Sequence, residues 1–209
     1  MINVIAGAYR PHSGAVMFQG EDVTGERSYA MAARGLTRTF QNIQVFAHMT
    51  VLENVMVGLH ARTKKEFIVS LFHLPGLKKE EAGIRRRAWE VLRFFGLEDR
   101  AQRPASSLSY GEQKRIEMAR ALVSHPELLL LDEPVAGLNV TETNEIAELI
   151  GKIRDQGVSV LLVEHDMNMV MGISDKIVVL NYGRKIAEGS PCEIQKNDEV
   201  LAAYLGGES

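Results

Sequence analysis

The chain has 209 residues, 45% of them hydrophobic and 24% charged, with a formal net charge of −3; that length supports one large domain or two small ones whose core needs neither disulfides nor structural metals. The mixed charges form no basic stripe of the kind that neutralises phosphates, which argues against nucleic acid as a direct ligand. A single cysteine, Cys192, excludes an internal disulfide framework, and no apolar run reaches membrane-spanning length, so a cytoplasmic location is expected and any membrane role must come through partners.

Taken in order, residues 2–6 followed by Gly7 read as the end of a helix with no capping residue or entry turn before it. Residues 15–19 are strand-like, and residues 36–40 predict a strand that delivers Gln41 and Asn42 into a loop. The next stretch changes character: residues 51–61 and 80–95 read as helices joined by a segment with Pro75 and Gly76, a helical subdomain. Its charge cluster, residues 78–81 with 85–87, alternates in sign and is expected to be a solvated helix face.

Ser109-Tyr110-Gly111-Glu112-Gln113 opens a helix whose buried face is Ile116, Ala119, Leu122 and Val123. Ser109 with Glu112 three residues on is a capping box and needs no functional explanation. The same N-terminus offers free backbone N–H groups, the positive end of the helix dipole and a hydroxyl, which suit a phosphate presented by another molecule.

The continuous apolar run 128–131, bounded by Pro126 and Pro134, predicts a fully buried strand ending in Asp132 and Glu133. A helix follows, with Thr141 as the expected N-cap, Ile146, Leu149, Ile150 and Ile153 on its apolar face and Gly157 as the stop. Residues 158–163 predict a second buried strand, so strand, helix and strand form a crossover with two parallel strands. Their C-terminal ends, Asp132 with Glu133 and Glu164 with His165 and Asp166, then share the sheet edge where open parallel sheets bind ligands. Adjacent carboxylates there can hold a hydrated magnesium ion and polarise water. A short helix at 167–173, a strand at 177–180 and a turn at 181–183 complete the reading.

The order of these motifs, Gln41, residues 108–113, residues 131–134, Ala136-Gly137-Leu138-Asn139 and His165, resembles the ATP-binding subunits of ABC transporters across essentially the whole chain. The resemblance implies an α/β, P-loop NTPase-like fold, a mainly parallel sheet with a helical subdomain: residues 1–49 as the remainder of the N-terminal core, 50–125 the helical subdomain with the signature loop, and 126–209 the catalytic core. It implies that Gln41 reaches toward Mg2+ and reports nucleotide state to a membrane partner. Ser109, Gly111 and Gln113 belong to the loop that contacts the γ-phosphate of ATP held by the opposite subunit; Tyr110 and Glu112 depart from the commonest pattern. Asp132 matches the Mg2+-coordinating aspartate, Glu133 the carboxylate acting on the attacking water, and His165 the switch histidine. Asn139 stands where the family often has aspartate.

Arg38-Thr39-Phe40-Gln41-Asn42, the helical insertion at 72–75, Glu164-His165-Asp166-Met167 and the ending Ala203-Tyr204-Leu205-Gly206 resemble the branched-chain amino acid uptake ATPases, with lipopolysaccharide-export and urea-uptake ATPases also similar. ATP and Mg2+, a homologous ATPase partner and transmembrane permeases at the inner face of the cell membrane are what that implies.

One motif is missing. A phosphate-binding loop needs G-x-x-x-x-G-K-[ST]; the only Gly-Lys pair, Gly151-Lys152, is followed by Ile153 inside a helix. By resemblance residues 2–7 continue the helix leaving that loop, so the expectation is an N-terminally truncated chain, from a start set inside a longer reading frame, that is inactive alone, with strand edges left open and poor stability.

Overall fold

In a computed structural model describing residues 1–39, 43–60 and 77–205, the chain divides into two units, Met1–Val163 and Glu164–Ser209. The first begins with a one-turn helix, α1 (Ile2–Ile5), then the antiparallel pair β1 (Met17–Phe18) and β2 (Glu21–Asp22), helix α2 (Ser28–Ala33) and strand β3 (Leu36–Arg38). Helices α3 (Val51–His60), α4 (Leu77–Phe94) and α5 (Tyr110–Leu122) follow, and then β4 (Leu128–Asp132), α6 (Val140–Asp155) and β5 (Ser159–Val163). Gln41, Asn42 and the segment with Pro75 and Gly76 lie outside the described residues.

The leucine run is β4, the middle strand of a parallel sheet ordered β3-β4-β5. Leu129, Leu130 and Leu131 are fully buried because the strand has a neighbour on either side and cover on both faces. On one face Leu130 joins Ile2, Ala6, Val23, Met31 and Leu36 in a single apolar cluster. The crossover through α6 is present as expected, with Ile146, Leu149, Ile150 and Ile153 all buried. Its start differs from expectation: Asn139, not Thr141, is the N-cap, accepting from the Glu142 N–H at 3.0 Å while Glu142 accepts from the Asn139 N–H at 3.1 Å. An Asn with a Glu three residues later satisfies two terminal N–H groups at once, which Thr141 with Asn144 cannot match. Strand β5 differs too: Val160 to Val163 are half-buried rather than buried, since among the described residues β5 pairs on one edge only.

Helix α3 packs against both α4 and α5. Val51, Leu52 and Val55 of α3 are buried, as are Leu92 of α4, Phe95 just after it and Ile116 of α5. The approach of α3 to α5 requires Gly58, where a Cβ would lie 2.0 Å from the Arg120 carbonyl oxygen. The buried Asn54 amide ties the preceding loop to α3, accepting from the Phe46 N–H at 2.8 Å and donating to the Phe46 and Thr50 carbonyls.

The second unit contains α7 (Met167–Ile173), the hairpin β6 (Ile177–Asn181) and β7 (Arg184–Gly189), α8 (Pro191–Ile194) and α9 (Asp198–Leu205). Ile177, Val179, Ala187, Ile194 and Val200 form its core. The two turn residues, Tyr182 and Gly183, both have positive φ (45° and 78°), the geometry that matches strand twist in a two-residue hairpin. The strand β7 that this turn opens is absent from the sequence reading, because residues 184–189 alternate weakly and carry three charges.

Candidate functional site

Two loops of the first unit carry most of the residues singled out from the sequence. The loop before α5 is organised by its capping box: Glu112 donates its N–H to Ser109 Oγ at 3.3 Å and accepts from the Ser109 N–H at 2.9 Å. Burial pushes the Glu112 carboxyl up, but the bonds from Ser109 and the nearby Arg100 guanidinium outweigh it and hold the group below its usual value. Ser109 is exposed, and Gln113 donates its amide to the Leu108 carbonyl at 2.9 Å, so that donor serves the loop itself.

Gly111 is buried, and a Cβ there would lie 2.8 Å from Glu142 Oε1, on the first turn of α6. Tyr110 packs its ring over Gly137, whose φ is +80° and whose added Cβ would be 3.3 Å from Tyr110 Cε1. The start of α5 and the turn leading into α6 are thus in direct contact, through residues that the sequence reads as departures from or members of the signature loop.

The second loop follows β4. Asp132 is half-buried, and its Oδ2 lies 3.2 Å from Arg38 Nη2, each side chain being 16% exposed. Glu133 has φ of +49°, a left-handed conformation uncommon outside glycine and found disproportionately at functional sites. Three contacts hold its peptide groups. The Glu133 N–H donates to the Val163 carbonyl at 2.9 Å, while its own carbonyl accepts from the Ala136 N–H at 3.2 Å and from Lys114 Nζ at 3.3 Å. Lys114 is only 3% exposed and stands 5.9 Å from the Tyr110 ring centroid. A positive charge over an aromatic face and on a carbonyl is a satisfied burial.

His165 belongs to the second unit. Its side chain is 72% exposed, and its N–H donates to Glu164 Oε2 at 2.9 Å, with Nδ1 3.7 Å from the same oxygen. Asp166 caps α7 by accepting from the Met169 N–H at 3.0 Å.

Mg2+ takes one or two carboxylates alongside phosphate and water oxygens rather than a protein cage. The donor set at β4 fits that demand: a single half-buried aspartate, with no cluster of three or more acidic, histidine or cysteine ligands among the described residues. Asp132 and Glu133 would hold and serve such an ion; nowhere do the 209 residues contain a glycine-rich phosphate string.

Sequence reasoning missed Arg38 as the partner of Asp132 and Lys114 as the support of Glu133. The only signals were a charge inside an apolar strand pattern and a lysine four residues after Tyr110 on one helix face.

The strand-helix-strand crossover that ends in adjacent carboxylates, beside a capped helix with an exposed N-terminal serine, lies in a chain that comparison with known proteins assigns to the ATP-binding cassettes. The family model for the ABC transporter matches residues 1–136, and the chain belongs to that family, whose members hydrolyse ATP. Within it, the model for the branched-chain amino acid ATP-binding cassette transporter matches residues 184–209. The chain is 41% identical to the high-affinity branched-chain amino acid transport ATP-binding protein BraF of Pseudomonas aeruginosa over 207 residues, 99% of this chain and 81% of that one. Among solved structures, the ADP conformation of an ATP-binding cassette of an ABC transporter superposes with a TM-score of 0.83 at 31% identity, covering 98% of this chain and 82% of that one. A dimeric cassette in a post-hydrolysis state bound to ADP and Pi superposes at 0.73 with 26% identity, covering 91% and 78%. No described helix is long and apolar enough to cross a membrane.

Proposed function

We propose that this chain is the ATP-binding and hydrolysing subunit of an importer for branched-chain amino acids, pairing with a homologous ATPase subunit and with permeases at the inner face of the cell membrane. The observation that carries this reading is the loop after β4, where Asp132 and a left-handed Glu133 stand together in a chain 41% identical to BraF. Asp132 and Gln41 would hold the magnesium ion, which would supply charge stabilisation for phosphoryl transfer. Glu133 accepts the proton of the attacking water, and His165 orients that water and the γ-phosphate. Ser109 meets the γ-phosphate of ATP held by the partner subunit, where a helix N-terminus favours an anion, and Gly111 and Gln113 shape the loop that presents it.

The test is reconstitution with the permeases and measurement of leucine, isoleucine and valine uptake against other amino acids. Uptake restricted to another solute class would overturn the transport assignment. In a form of the protein that carries the phosphate-binding loop, Glu133→Gln is expected to abolish turnover while nucleotide binding persists; hydrolysis at the unmutated rate would remove Glu133 from its role.

A second reading is favoured by the exposed Ser109 at the capped N-terminus of α5: the chain completes, through its Ser109 loop, an ATP site whose phosphate loop comes from an intact partner, without turnover at its own carboxylates. On that reading the isolated chain shows no turnover and a mixture with an intact homologue does. ATP hydrolysis by the isolated chain would contradict it.

A further inference from the structure

Strands β3 and β4 run parallel with Arg38 opposite Leu130. Side chains alternate along a strand, so the next residue on the Leu130 face of β4 is Asp132. The Arg38 side chain reaches one step along that face, placing Nη2 3.2 Å from Asp132 Oδ2 with both side chains 16% exposed, while Nε donates to the Thr39 carbonyl at 3.2 Å. The guanidinium is therefore held by Asp132 and the Thr39 carbonyl among its contacts, and one oxygen of Asp132 is already engaged by a cation of the chain itself.

We propose that Arg38 sets the metal affinity of Asp132: a divalent cation reaching this carboxylate must displace the guanidinium from Oδ2 or bind beside its fixed charge. The inference rests on Asp132 being the magnesium ligand. Repulsion between a fixed positive charge and an incoming divalent ion a few ångströms away is large where water is scarce, and burial protects it from screening by salt. Methionine at position 38 removes that charge while keeping a long side chain over the same surface. Lysine keeps the charge and loses the planar fork.

The probe is Mn2+, followed by the electron paramagnetic resonance signal of the free ion, on the full chain and its R38M, R38K and D132N variants. R38M is expected to bind Mn2+ about tenfold more tightly than the unmutated chain, as loss of a neighbouring positive charge requires. R38K stays near the unmutated value, and D132N loses the site. Unchanged or weaker binding by R38M, with D132N defective, overturns the role of Arg38 and leaves Asp132 as the ligand. Binding by D132N equal to the unmutated chain, or no binding by any form, overturns the reading of Asp132 itself. Should R38M fail to fold, the unmutated chain still decides: the Arg38 Nε–H resonance is expected to shift as Mg2+ is added, and a resonance that stays fixed through saturation overturns the proposal.

Discussion

The ammonium of Lys114, on α5, lies 3.3 Å from the backbone carbonyl oxygen of Glu133, at the end of β4. The helix that starts at the Ser109 loop therefore holds the peptide of the residue read as the catalytic carboxylate, within one unit of the chain.

Replacement of Lys114 by methionine is expected to lower turnover of the reconstituted transporter about tenfold with little change in KM, since a small misplacement of a catalytic group carries that penalty. Lys114→Arg restores most of the rate. Folding stability changes by roughly 1 kcal/mol or less, because relief of a buried charge offsets the lost contacts. A stability loss that accounts for the whole rate defect would show the role to be structural only.

Gly58→Ala forces a methyl into the carbonyl of Arg120, a backbone atom that cannot turn away. The expected cost is about 3 kcal/mol, at the upper end of overpacking effects. Denaturant unfolding of the two forms measures it, and a change within the error of the midpoint would rule out the close approach of α3 and α5.

Gly111→Ala meets a different neighbour, the end of the Glu142 side chain. That carboxylate can move, but only by loosening its bond to the Asn139 N–H. A loss of about 1 kcal/mol is expected, the usual worth of a cap. In a Glu142→Ala background the same substitution should cost much less, so the two effects are non-additive in a double-mutant cycle.

Glu188 accepts from Lys176 and Lys185, and those bonds hold its carboxyl down to about 2 from an ordinary 4.5. A lowered folded-state value means the protonated form is disfavoured by folding. The contribution is present above the ordinary value and is lost as pH falls from about 4.5 toward 2. A carboxyl-carbon NMR titration should place its midpoint near 2; a midpoint at the ordinary value would mean that neither lysine engages it in solution.

Much of this architecture is written locally. A leucine run between two prolines, two helices with apolar residues at three- and four-residue spacing, and a serine followed three places on by glutamate each state their own conformation, because hydrophobic period and cap chemistry act over a few residues. The parallel crossover follows from those elements by connectivity, and with it the placement of Asp132 and Glu133 at a strand end. Where two local signals competed, at Asn139 and Thr141, the one that closed a reciprocal capping box prevailed.

The partners of the two carboxylate-loop residues are another matter. Arg38 meets Asp132 across 94 positions of sequence, and only the register of β3 on β4 decides that they share a face. Lys114 and Glu133 are 19 positions apart, on a helix and a loop whose contact depends on how α5 lies against the sheet. A one-residue slip in the first case would turn Arg38 to the opposite face. Sequence alone thus singled out the residues to which the chemistry is assigned; tertiary packing decided which charges stand beside them, because register and helix placement are set by the whole core rather than by neighbours along the chain.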